Sequence, residues 1–220
     1  MTRKRVAVLI SGRGSNMTAL IEAANRDDYP AEIALVVSNR PDAAGLESAR
    51  AAGIATEIVD HAIYGEDRAA FEEVLQDALA EHQIDLVCLA GFMRLLTDEF
   101  VARWSGRMLN IHPALLPSFK GLHTHERALA AGVKIHGASV HFVVAEMDSG
   151  PIIAQGAVAV REDDTPATLA ARVLAVEHRI YPLALRLVAE GRVHVEQGRC
   201  ILTGTTTSAD SALIVPSERL

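Results

Sequence analysis

Arg5-Val6-Ala7-Val8-Leu9-Ile10-Ser11-Gly12-Arg13-Gly14-Ser15-Asn16 is the stretch from which the rest of the chain is read. Residues 5–10 are an apolar run of strand length. Residues 11–16 form a glycine-rich turn, and residues 17–24 have helical spacing. A strand, a tight turn and a helix in that order begin an α/β fold with a parallel sheet. The turn also suits an anion, because free amides and the positive end of the helix dipole face whatever sits there. A dinucleotide fingerprint would need a third glycine at position 17, which is Met. The next strand, residues 32–37, ends in Ser38-Asn39-Arg40 and lacks the acid that would hold a ribose. A single phosphate fits better, and a plain tight turn is the structural alternative.

The pattern then repeats. A helix at residues 45–52 precedes a strand at 55–59, and residues 61–67 read as polar loop. Residues 68–82 have helical spacing, with Phe71, Val74, Leu75, Ala78 and Leu79 on one face. Arg68 starts that helix, where a cation opposes the dipole, so a ligand contact competes with simple solvation. Residues 85–89 are a buried strand running into Ala90-Gly91-Phe92-Met93-Arg94-Leu95-Leu96. Such an apolar segment at a strand end can wall a flat heterocycle, or merely pack on a neighbouring helix. A short helix covers 97–104. Later come a short helix at 124–131 closed by Gly132, strands at 134–144 and 151–160 as an antiparallel pair, and a helix that Thr165-Pro166 starts. That helix runs toward Glu190-Gly191, and Pro182 inside it is expected to kink or break it. Two short strands, 192–196 and 200–202, precede a loose tail with one apolar patch at 213–215. The expected architecture is a Rossmann-like, mostly parallel sheet with helices on both faces and an antiparallel carboxyl-terminal portion. Residues 1–202 are read as one domain and 203–220 as tail.

Bulk properties narrow the class. The chain has 220 residues, half of them hydrophobic, and a net charge of −7. That length favours one domain and a sizeable core. The acidic balance argues against a nucleic-acid partner. Cys88 and Cys200 are too few for a disulfide frame or a zinc site, and no stretch approaches a membrane span. The expected setting is a reducing cytoplasm.

The chemistry concentrates in Met108-Leu109-Asn110-Ile111-His112-Pro113. The run reads as a buried strand that Pro113 stops. Asn110 and His112 are two apart, so both side chains leave the same face. An amide and an imidazole at a strand end can hold and protonate a developing oxyanion. Asp148, 36 residues after His112, sits in a turn closing Ser149-Gly150-Pro151. Each residue alone has a bland reading: a structural Asn, a loop His, a turn-forming Asp. The combination is more informative. Asn-x-His-Pro, then Leu-Leu-Pro at 115–117, then Gly-Leu-His-Thr-His at 121–125, then Asp148, resembles the folate-dependent formyltransferases. Ser-Gly-x-Gly-Ser-Asn at 11–16, Leu-Ala-Gly-Phe-Met-Arg at 89–94 and Ser-Val-His-Phe-Val at 139–143 add to the likeness. It covers roughly residues 5–202 and points to the branch acting on glycinamide ribotide.

The resemblance implies transfer of a formyl group from 10-formyltetrahydrofolate, a co-substrate, to the ribotide amine, with no metal. It makes Asn110, His112 and Asp148 catalytic. It places the ribotide on Gly14, Ser15, Asn16 and Glu177. It places the folate on Arg68, Met93, Arg94, Leu95 and Leu96, with Val144, Ala145, Glu146, Met147 and Asp148 closing over the pterin. The implied partners are small molecules, with no nucleic acid and no membrane, in a monomer or homodimer. Lys120 stands where many members have Pro. Two relatives share the trio. Formyltetrahydrofolate deformylase uses water and carries an amino-terminal regulatory domain, for which a first strand at residue 5 leaves no room. Methionyl-tRNA formyltransferase carries a carboxyl-terminal RNA-binding domain, for which about 18 residues are too few. A non-catalytic Rossmann module would leave Asn110, His112 and Asp148 unexplained.

Overall fold

The computed structural model of the chain describes residues 2–204 and 215. In chain order the elements are β1 (Lys4–Ile10), α1 (Ser15–Ala24), β2 (Ala31–Ser38), α2 (Gly45–Ala51), β3 (Ala55–Ile58), α3 (His61–Tyr64), α4 (Arg68–Glu81) and β4 (Leu86–Leu89). They continue with α5 (Asp98–Arg103), β5 (Met108–His112), α6 (Thr124–Ala130), β6 (Ile135–Phe142), β7 (Ile152–Ala159), α7 (Pro166–Ala189), β8 (Val193–Glu196) and β9 (Arg199–Leu202). The main sheet has seven strands in the order β3-β2-β1-β4-β5-β6-β7. The first five are parallel, and β6 and β7 add on antiparallel. This is the expected α/β architecture, and β8–β9 form a separate hairpin.

The central strands are apolar on both sides because helices cover both faces. Val6, Val8 and Ile10 join Met17 and Leu20 of α1, Leu46 of α2 and Val173 and Tyr181 of α7 in one core. Ala7 and Leu9 point the other way, onto Phe71, Leu75 and Leu79 of α4 and Phe100 of α5. Each fully buried Val, Leu, Ile, Phe or Met side chain contributes about 1.5–3 kcal/mol. Cys88 lies fully buried in the first of these cores, as its apolar strand suggests.

Three local expectations are corrected. Residues 61–67 are not all loop: α3 forms because the Asp60 carboxylate accepts the Ala62 N–H and caps the turn. Val74 does not join the buried face of α4; it is 42% exposed, and Glu72 is buried instead. Pro182 does not break α7, which runs unbroken from Pro166 to Ala189. An interior proline costs about 3 kcal/mol or more. Packing of α7 on β6, β7 and α1 offsets it, as does the Tyr181 hydroxyl, shared between Leu89 O (3.0 Å) and Leu109 O (3.2 Å). The expected loose tail from residue 205 onward, Val215 apart, lies outside the described residues. Among the described residues no helix is long and apolar enough to cross a membrane.

Candidate active site

The strand order reverses between β1 and β4, so the segments leaving their carboxyl ends diverge and open a crevice. Ser11 ties its walls together. Its hydroxyl donates to Asn39 Oδ1 (2.6 Å) and accepts the Met93 N–H (2.7 Å). Gly14, at φ 72°, is the left-handed residue that turns the chain into α1. A Cβ there would lie 3.0 Å from Met17 Cε and 3.3 Å from Gly45 Cα. Among the described residues no side chain caps α1, so its first amides have neither a side-chain nor an intrahelical acceptor. Asn16 Nδ2 donates to Glu177 Oε2 (2.6 Å), while the buried Asn16 Oδ1 has no partner among the described residues. Glu177 is 7% exposed, and burial raises its carboxyl pKa against the Asn16 hydrogen bond. The structure thus joins Asn16, read as a ribotide contact, to Glu177 on α7.

The second wall is β5 and β6. Alternation sends Leu109, Ile111, Val140 and Phe142 into the α1–α7 core. Asn110, His112, Ser139 and His141 leave the opposite face. His112 Nδ1 is 3.4 Å from Asp148 Oδ2, with their side chains 7% and 9% exposed. His112 Nε2 donates to Phe119 O (3.0 Å). Oxygen atoms therefore face both ring nitrogens. Asp148 adopts φ 52°, which Asp tolerates better than most residues, and its Oδ2 accepts the Gly121 N–H (2.8 Å). Gly150 is required two residues later, because a Cβ there would lie 1.8 Å from Phe142 O. The loop after His112 is pinned from β6 and β7. Ser139 Oγ donates to Ala114 O (2.7 Å) and accepts from Leu116 N (3.0 Å) and Gln155 Nε2 (2.8 Å). The Leu116-Pro117 peptide in this loop is cis.

His141 carries no role in the sequence reading, yet its Nε2 is 3.2 Å from Asn110 Nδ2 and 3.8 Å from Asp148 Oδ1. The available signal was the β5–β6 register, which sets Asn110 opposite His141 and His112 opposite Ser139. Two polar side chains two apart in an apolar strand, facing another such pair, mark a shared site.

The segments read as folate contacts are apolar and open. Met93 is 71% exposed, and Leu95, Val144 and Met147 are also exposed. Glu72 holds the end of the Met93–Leu96 segment, accepting from Thr97 N (2.6 Å) and from the Thr97 hydroxyl. Arg94 folds back over the Phe71 ring (4.7 Å) and donates to Gly65 O (3.2 Å). Arg68 is exposed at the start of α4, and the Asp67 cap beside it relieves the opposition to the dipole. Lys120 bridges to Glu146 Oε1 (3.3 Å) and to the Ser149 hydroxyl, linking the two loops that flank His112. A cleft of about 630 Å³ lies on the β2 side, lined by Ser11, Asn39, Arg40, His61 and Met93 among others, and does not include the trio. The assignment of the site therefore rests on side-chain chemistry and not on cavity volume. Among the described residues no three His, Cys, Asp or Glu side chains are grouped to hold a metal ion.

An amide, an imidazole and a carboxylate thus gather where β5 and β6 meet the turn of Asp148. The chain belongs to the formyl transferase family, whose model matches residues 4–185. Phosphoribosylglycinamide formyltransferase of Escherichia coli (strain K12) is 44% identical, over 90% of this chain and 93% of that protein. The branch of the family is thus that of phosphoribosylglycinamide formyltransferase. The bovine (Bos taurus) trifunctional purine biosynthetic protein adenosine-3 is 51% identical over 90% of this chain, which spans only 20% of that longer protein. Among solved structures, glycinamide ribonucleotide transformylase 1 from Symbiobacterium toebii superposes with a TM-score of 0.88 at 48% identity, covering 91% of this chain and 94% of that one.

Proposed function

We propose that this chain transfers the formyl group of 10-formyltetrahydrofolate to the amine of 5'-phosphoribosylglycinamide, a step of de novo purine (IMP) synthesis. The observation that carries the reading is the convergence of Asn110, buried His112 and Asp148 at the end of β5. The amine attacks the formyl carbon, and the carbonyl electron pair moves onto oxygen. Asn110 donates a hydrogen bond to that oxyanion, and His112, held against Asp148, stabilises it as a cation or acid. Asp148 takes the proton that the attacking nitrogen loses, directly or through water. Collapse breaks the bond from carbon to the folate nitrogen, which receives a proton, leaving formylated ribotide and tetrahydrofolate.

In this reading the ribotide phosphate lies on the amides of Gly14, Ser15 and Asn16, and Glu177 accepts from the ribose hydroxyls. Arg68 and residues 93–96 (Met93, Arg94, Leu95, Leu96) face the folate, and residues 144–148 (Val144, Ala145, Glu146, Met147, Asp148) close over its pterin. Residues 1–202 form the catalytic domain. The enzyme acts on small molecules in the cytoplasm, without metal, nucleic acid or membrane, as a monomer or homodimer.

Gly14→Val tests the anion site. A branched side chain at a left-handed position, 3.3 Å from the Gly45 backbone, pushes the turn out of shape where the phosphate must approach. The ribotide KM is expected to rise by a large factor while folate affinity is retained. An unchanged ribotide KM places the phosphate elsewhere. The function itself is tested by following tetrahydrofolate release with and without ribotide. Release that requires the ribotide supports the assignment. It is expected to rise through neutral pH, because an α-amino group, with a pKa near ~7.7–8, must be neutral to attack. Release that ignores the ribotide contradicts the assignment.

A further inference from the structure

We propose that His141 is a positioning residue, which orients the Asn110 amide by accepting one of its N–H groups. This rests on the oxyanion role given to Asn110 above. The two residues are direct partners in the antiparallel β5–β6 register, so their side chains leave the same face of the sheet. His141 Nδ1 lies 2.9 Å from Phe142 O. A carbonyl only accepts, so the proton of the neutral ring sits on Nδ1 and Nε2 is a bare acceptor. Asn110 Nδ2 is 3.2 Å from that acceptor.

The consequence is a fixed amide. Turned the other way, Asn110 would set its carbonyl oxygen against Nε2, two acceptors face to face. In the observed orientation one N–H is used on His141 and the other remains to donate to a developing oxyanion. The Asp148 carboxylate also faces this nitrogen, but at 3.8 Å it is beyond hydrogen-bond range. The turn carrying Asp148 packs on the far side of the ring, where a Cβ on Gly150 would lie 3.4 Å from His141 Nδ1. The charged or titratable groups that face His141 are thus Asp148 and His112. Burial lowers the His141 pKa below its usual value, Asp148 opposes that shift and His112 adds to it. Burial thus favours the neutral ring that this orientation needs.

The test is a double-mutant cycle on the full chain. His141→Leu keeps bulk and removes the acceptor, while His141→Gln offers a carbonyl near the position of Nε2. His141→Leu is expected to lower kcat roughly 10-fold or more, part of the ~10²-fold that loss of an oxyanion donor costs. Both KM values should stay near those of the unaltered chain, and His141→Gln should recover most of the loss. In an Asn110→Ala background the His141→Leu change should be neutral, since its effect passes through the amide. Unchanged kcat, or the same loss in both backgrounds, overturns the proposal. Nitrogen-15 NMR of the unaltered chain gives a second reading independent of variant folding. His141 should be protonated on Nδ1, with an Nε2 signal that moves in Asn110→Ala. A ring protonated on Nε2 overturns the proposal whatever the kinetics. The tautomer is read without substrate, so failure of the transferase assignment is distinguishable from failure of this one.

Discussion

Asp148→Asn is expected to lower turnover by roughly 10²- to 10⁴-fold, the scale of a positioned acid–base group. The substitution keeps shape. Asn tolerates the left-handed backbone that Asp148 occupies, and its amide oxygen can still accept the Gly121 N–H. What disappears is the carboxylate 3.4 Å from His112 Nδ1, and with it the base to which the proposed mechanism gives the proton of the attacking amine. A neutral amide neither stabilises an imidazolium nor takes up a proton. Because the loop geometry survives, KM for both substrates is expected to move much less than kcat. Steady-state kinetics on the purified variant checks this, and near-normal turnover removes Asp148 from the mechanism.

Asn110→Ala carries the second large effect, a loss on the order of 10²-fold or more in kcat, as for removal of an oxyanion donor. Alanine leaves the β5 backbone pairs with β4 and β6 in place, since the ladder does not use the side chain. It also leaves His112 and Asp148 paired. The loss should therefore appear in kcat and in kcat/KM together, the pattern of an interaction made only in the transition state. A variant that loses affinity for the ribotide but not turnover would assign Asn110 to binding.

Much of this was legible in the sequence because it is local. The apolar run before Ser11, the glycine-rich turn after it and the Thr165-Pro166 start are each decided within a few residues, and the structure has them all. The pairing of His112 with Asp148 was legible only through the motif, since 36 residues and two strand ends separate them. What was missed depends on distant partners. Nothing near Glu72 in the sequence marks it as buried, because Thr97, from another segment, satisfies both its oxygens. Val74 has the right spacing for the core but is 42% exposed. Pro182 breaks helices in isolation, and here tertiary packing overrides it. His141 needed the β5–β6 register, which residue spacing along one strand does not contain.

The most direct test of the central claim is the fate of the formyl carbon. Purified chain would be mixed with 10-formyltetrahydrofolate labelled in the formyl carbon and with glycinamide ribotide, and the label followed by carbon-13 NMR beside total tetrahydrofolate. Label leaving the folate is expected to appear in the formyl amide of the ribotide, one for one with tetrahydrofolate, with little formate. Label that accumulates as formate at the same rate with or without the ribotide would contradict it, and would make water the acceptor at Asn110, His112 and Asp148.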